Sequence, residues 1–168
     1  MGCPCALHLE ADAISAQAAH AAAVVECMRL ERKYSHYRDD SFVARIAASA
    51  GSDIEIDDET ADLLDFAAAL HAQSGGLFDI SAGALTRLWD AQNGRLPSKA
   101  EIAFALAVTG WERVQWRRPF LRLGVPGMRL DLGGIVKEYA ADRCAKTCRA
   151  AGVTAGVVDL GGDLALIG

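Results

Sequence analysis

The sequence predicts an α+β fold, with helices packed on a mixed β-sheet. Three observations carry that expectation. Long stretches with small and apolar residues near helical spacing recur at 11–33, 58–73 and 135–151. Short alternating or β-branched runs stand between and after them, at 54–56, 114–116, 120–123 and 155–160. Hydrophobic residues make up 52% and charged residues 23% of a 168-residue chain, enough to build one core and too apolar for a disordered tail.

The elements follow in order. Residues 3–9 read as a short strand, apolar at Cys5, Leu7 and Leu9. Residues 11–33 read as one long helix through Ile14, Ala18, Ala21, Val25, Met28 and Leu30, with charges gathered at its end. Ser41 is placed to cap a short helix reaching about Ala48, and Gly51-Ser52-Asp53 to turn the chain into a strand at 54–56. Asp57 or Asp58 opens a helix of about 58–73, with Leu63, Leu64, Phe66, Ala67 and Leu70 inward, and Gly75-Gly76 ends it. Asn93-Gly94 signals a turn, and Ser98 with Glu101 forms a capping box for a helix of about 99–108. Arg117-Arg118-Pro119 joins two strands as a hairpin, and 128–132 reads as a further strand. Gly133-Gly134 opens the helix ending at Gly152, and Gly161-Gly162-Asp163 turns the strand at 155–160 into one beginning at Leu164.

Charge and composition narrow the function classes. The net charge of −5 argues against a nucleic-acid partner, and with 7% aromatic residues little surface is left for stacking. No stretch is long and apolar enough for a transmembrane segment. Met1-Gly2-Cys3-Pro4-Cys5 has no basic region and no apolar run, so the expectation is a cytoplasmic protein, or one whose export segment has been removed. The cysteines, Cys3, Cys5, Cys27, Cys144 and Cys148, are odd in number and have neither zinc-ribbon nor redox CxxC spacing, and they are expected to pack as small hydrophobes.

Four segments carry candidate chemistry. In Leu130-Asp131-Leu132-Gly133-Gly134-Ile135-Val136-Lys137-Glu138-Tyr139 a strand delivers Asp131, glycines permit close backbone approach, and a helix begins. Free N–H groups and the positive end of the helix suit a phosphate, Lys137 can reach back to it, and Asp131 can accept from a base or ribose or hold a metal. The same residues also fit a structural turn with Asp131 as N-cap, and both readings stand. Ser74-Gly75-Gly76-Leu77-Phe78-Asp79-Ile80 reads either as a close-approach loop with an aromatic face or as a helix C-cap followed by a core Phe. In Tyr34-Ser35-His36-Tyr37-Arg38-Asp39-Asp40-Ser41, Tyr37 stacks on a flat ring or is an ordinary surface tyrosine. Asp159-Leu160-Gly161-Gly162-Asp163 is a turn with two carboxylates, open to a divalent cation or to none. His8, His20 and His71 have no partner at ligand spacing, and Trp89, Trp111 and Trp116 read as core or rim residues.

Taken in order with Met1-Gly2-Cys3, these segments resemble the ApbE family of flavin transferases (FAD:protein FMN transferases), along the whole chain. The resemblance implies a single ApbE-like domain over residues 1–168, incomplete at its C-terminal end. It implies a Mg2+-dependent enzyme that transfers FMN from FAD to a Thr or Ser hydroxyl of an acceptor protein. Carried over by motif, Met1 and Tyr37 contact FAD, and Leu77, Phe78 and Asp79 line its adenine or ribose region. Asp131 and Lys137 also contact FAD, and Gly134 offers a backbone carbonyl to the metal. Ala47 and Asp159 stand where family members commonly carry Asn. The family's second half, with the rest of the metal site, lies beyond the end of this sequence. Two alternatives are therefore kept: a truncated, inactive flavin-binding or scaffold protein, and a Mg2+-dependent FAD pyrophosphatase. An open strand edge after Ile167 would pair with a second copy or another chain.

Overall fold

A computed structural model of the chain describes residues 2–49, 51–89 and 94–168. Helices combine with antiparallel sheets, an α+β arrangement in two compact units. Unit 1 comprises residues 1–33 and 135–168, and unit 2 the continuous stretch 34–134.

Unit 1 is built on a sheet of β1 (Cys5–Glu10), β5 (Ala155–Leu160) and β6 (Asp163–Ile167), in the order β1-β5-β6. Cys5 pairs with Leu160 and Glu10 with Ala155, so the sheet joins the two ends of the sequence. The turn between β5 and β6 is closed by Asp159, whose carboxylate accepts from the Gly162 N–H. Helix α1 (Ala13–Tyr34) starts where Asp12 accepts from the backbone N–H groups of Ile14 and Ser15. Its buried positions are Ala19, Ala23, Glu26, Leu30 and Tyr34, while Ile14, Val25 and Met28 lie exposed. Helix α6 (Gly133–Ala150) buries Ile135, Val136, Ala140, Ala141, Cys144, Ala145 and Cys148. The helices are tied by Glu26, whose Oε1 accepts from Arg143 Nε at 2.9 Å while Oε2 accepts from Arg29 Nε at 2.7 Å.

Unit 2 holds α2 (Phe42–Ala48), β2 (Ile54–Glu55), α3 (Asp58–Gln73), α4 (Gly83–Thr86), α5 (Lys99–Ala107), β3 (Val114–Arg117) and β4 (Phe120–Leu123). Its sheet runs β2-β4-β3, with both pairings antiparallel. The expected caps form: Ser41 accepts from the Ala44 N–H, Asp57 from the Thr60 N–H, and Ser98 and Glu101 close a capping box. The core gathers Val43, Ile46, Leu64, Leu121, Met128, Leu130 and Leu132, all essentially inaccessible. Tyr34 is buried there with its hydroxyl 3.0 Å from Thr60 Oγ1, and Asp57 accepts in turn from that threonine.

Three local expectations are corrected. Phe66 is exposed rather than inward, since the buried face of α3 runs through Thr60, Ala61, Leu63, Leu64 and Ala67. Residues 128–132 do not form a strand. They make one parallel bridge, Ala82 with Arg129, because the partner segment turns into α4 at Gly83 before a ladder can extend. The cysteines are not uniformly buried: Cys144 and Cys148 are, Cys3 and Cys27 are partly covered, and Cys5 is exposed. The Asn93-Gly94 turn falls partly outside the described residues.

Candidate functional site

Three of the four candidate segments meet inside unit 2. Asp131 Oδ1 accepts from the Gly133 N–H at 2.8 Å and from His36 Nδ1 at 2.9 Å. The first bond is a local turn that presets the entry to α6, so Asp131 sits two residues before Gly133 as a turn former rather than as the N-cap itself. The second fixes the His36 tautomer, with the proton on Nδ1. His36 Nε2 is buried and has no hydrogen-bond partner among the described residues. The Tyr37 ring leans on the imidazole, centroids 3.9 Å apart and planes 42° apart, with most of its own surface open. Arg87 holds the loop by donating from Nη1 to the His36 carbonyl at 3.2 Å.

The glycine-rich loop after α3 packs against the same turn. The Asp131 N–H donates to the Ile80 carbonyl at 2.7 Å. A Cβ on Gly134 would lie 3.1 Å from Phe78 Cε2, so the aromatic edge and the start of α6 are in close contact. The loop is shaped by Gly75 and Gly76, with φ of +64° and +86°, a region in which an L side chain is strained. Ser74 Oγ accepts from the Phe78 N–H at 2.9 Å, and His71 Nδ1 lies 2.9 Å from the Phe78 carbonyl. His71 therefore has a structural task that its sequence context did not reveal. Asp79 is committed to backbone: Oδ1 accepts from the Ser81 N–H at 2.8 Å and Oδ2 from the Trp111 N–H at 3.1 Å. Leu77 projects almost wholly into solvent, 92% exposed. Next to His36 lies a shallow open depression, lined also by Val43, Ala44, Ala47, Arg87, Arg129 and Leu130.

In unit 1, Lys137 Nζ forms an ion pair with Asp163 Oδ2 at 3.1 Å, and this carboxylate raises the lysine pKa. The residues of the fourth segment are thereby engaged, Asp159 in its turn and Asp163 with Lys137. Met1 lies outside the described residues.

His36 is the functional candidate that sequence reasoning passed over. It lies beside Tyr37 in a loop rather than in a predicted helix or strand, and that was the available signal. Its partner Asp131 is too far along the chain for spacing to connect them.

The metal donors are sparse. Mg2+ requires near-octahedral oxygen coordination. Among the described residues no three His, Cys, Asp or Glu side chains cluster to hold a metal ion. The Gly134 carbonyl, second in α6, is used by the helix ladder and keeps one lone pair. These residues do not form a Mg2+ cage by themselves.

A glycine turn fixed by a half-buried carboxylate, feeding a long helix beside an aromatic edge, suits a ligand that is flat at one end and anionic at the other. The chain belongs to the ApbE family, whose model matches residues 1–168. It is 33% identical over 151 residues to a FAD:protein FMN transferase from Treponema pallidum (strain Nichols), covering 82% of this chain and 41% of the relative. It superposes on the ApbE protein from Thermotoga maritima with a TM-score of 0.88 at 30% identity, over 99% of this chain and 56% of that one. The flavin transferase ApbE from Vibrio cholerae matches its fold with a TM-score of 0.88 at 22% identity, over 100% of this chain and 57% of the other. The chain thus spans less than half the length of the Treponema relative and little more than half of either solved structure.

Proposed function

We propose that this chain supplies FAD-binding residues of a FAD:protein FMN transferase, which moves FMN from FAD to a Ser or Thr hydroxyl of an acceptor protein. The observation that carries the reading is the meeting of three separated segments at one turn: Tyr37 on His36, His36 on Asp131, and Phe78 on Gly134. Family membership supports it independently.

Each side chain has a role that follows from its surroundings. Tyr37 offers an open aromatic face on which a planar ring system can stack. Asp131, held by two donors on one oxygen, accepts from a ribose hydroxyl or a base edge. The start of α6 presents backbone N–H groups to the diphosphate. Phe78 and Leu77 cover the adenine or ribose region, and Asp79 keeps their loop in place through the Ser81 and Trp111 N–H groups. Lys137 and Met1 are further FAD contacts carried by the motif alone.

Mg2+ belongs to this reading as the expected cofactor; when bound, it neutralises charge on the diphosphate. Among the described residues Gly134 would offer it a backbone carbonyl.

The test is a titration of the purified chain with FAD, with and without Mg2+, followed by flavin fluorescence and by product analysis after an acceptor peptide is added. Saturable binding that strengthens with Mg2+, and a peptide gaining the mass of FMN, are expected. Release of free FMN and AMP without peptide labelling would favour the pyrophosphatase. Binding without turnover would favour a non-catalytic flavin-binding protein. No binding would overturn the reading for this chain.

A further inference from the structure

We infer that Cys27 and Cys144 are a disulfide-forming pair, a thiol-oxidation site that cross-links helices α1 and α6. The sulfurs lie 3.2 Å apart. That is closer than two unbonded sulfurs normally pack, and they need to approach by only about 1 Å to reach bonding distance. Their placement is fixed by neighbours on both helices. Glu26 and Arg143, each the residue just before a cysteine of the pair, are joined at 2.9 Å. The Cys144 thiol also lies 3.6 Å from the Ala23 carbonyl, one turn before Cys27 on α1.

The two thiols are unequal in a way that suits sequential oxidation. Cys27 is partly exposed and Cys144 fully buried. With Cys144 as donor in the contact, the Cys27 pKa falls to about 7, while that contact and burial push Cys144 upward. Cys27, the more exposed of the two, is therefore the thiol that an oxidant reaches first and the attacking group once deprotonated. A hydroperoxide is the oxidant class. The Cys27 thiolate attacks the peroxide oxygen, the O–O bond breaks, and Cys27 becomes a sulfenic acid with loss of hydroxide or alkoxide. Cys144 then gives up its proton and attacks the Cys27 sulfur, releasing water as the S–S bond forms. The two thiols lose two electrons, and the hydroperoxide is reduced to water or an alcohol. This site shares no residue with the flavin-contact set.

Cys5, the exposed cysteine, is the competing thiol, and Cys148 lies one turn beyond Cys144. The test treats the reduced chain with equimolar hydrogen peroxide, alkylates it, and maps peptides without reduction. Trypsin with a Glu-specific protease frees Cys27 in Cys27-Met28-Arg29 and Cys144 in Cys144-Ala145-Lys146. Loss of two thiols, a peptide joining these fragments, and a rise in melting temperature of about 5 °C that dithiothreitol reverses are expected. The rise should be absent from Cys27→Ser. A cross-link to Cys5, a Cys27 sulfinic acid beside alkylated Cys144, or no thiol loss would each overturn the assignment. All three are read on the unsubstituted protein and do not depend on a variant folding.

Discussion

At the scale of single residues, Asp131 concentrates the load, because one of its oxygens serves two donors from different parts of unit 2. Asp131→Ala strips both, leaving the half-buried His36 Nδ1 and the Gly133 N–H without that acceptor. An unsatisfied buried donor costs roughly 1–3 kcal/mol. We expect a melting temperature lower by several degrees and FAD binding at least tenfold weaker. If affinity is unchanged while stability falls, Asp131 is structural alone. Tyr37 is the contrasting case. With 74% of its surface exposed and its ring resting on His36, it has little share in the core. Tyr37→Ala should leave the melting temperature nearly unchanged and weaken FAD binding by about tenfold, the size of a stacking contact of roughly 1–3 kcal/mol. Equal affinities measured by fluorescence titration would remove Tyr37 from the site.

At the scale of elements, capping signals and most of the α3 face were legible, and the face of α1 was not. Ser41, Asp57 and the Ser98–Glu101 box act within three residues, so the sequence displays them directly. The face of α1 was hidden because alanine is so frequent there that several helical stripes look equally apolar. The buried one runs through Ala19 and Ala23 and includes a charge, Glu26, which no hydropathy pattern would select. Hydrogen bonds from Arg29, and then Arg143, hold the Glu26 carboxyl below its usual pKa despite the burial that opposes them. A carboxylate depressed in the folded state stabilises above its unfolded pKa, and loses that contribution as pH falls through the folded value. The stability gap between the parent and Glu26→Gln, from denaturant melts, should therefore be constant from pH 7 to about pH 5 and shrink below about pH 4. A gap that widens in acid would contradict the tie between α1 and α6. The strand expected at 128–132 does not form for a similar reason, since its apolar run is genuine but its neighbour departs into α4. Gly83 marks that departure. A Cβ there would sit 2.7 Å from the Arg129 carbonyl oxygen, and backbone cannot swing aside. Gly83→Ala should destabilise by about 1–3 kcal/mol, read as a lower melting temperature.

At the scale of the molecule, the order of motifs was legible because each is a short run. The meeting of His36 with Asp131, and of Phe78 with Gly134, was not, because those contacts are made by tertiary folding. The same distinction separates the two units. Unit 2 is one continuous stretch with its own core and sheet, whereas unit 1 joins the first 33 residues to the last 34. In unit 1, β1 finds its partner, among the described residues, in β5, so the sheet cannot close until nearly the whole chain is present. Contacts of such long sequence separation incur a large loop-closure entropy before they stabilise anything. Deleting residues 155–168 removes β5 and β6 and leaves β1 without the strand it pairs with. Hydrogen exchange on the shortened chain should then lose protection at the β1 amides and fall toward solvent rates there. The amides of α3 and β4, whose partners all lie within 34–134, should keep most of theirs. Uniform loss across both units would mean that they unfold as one cooperative body. Retained protection at β1 would mean that its order does not depend on the strand pairing seen here.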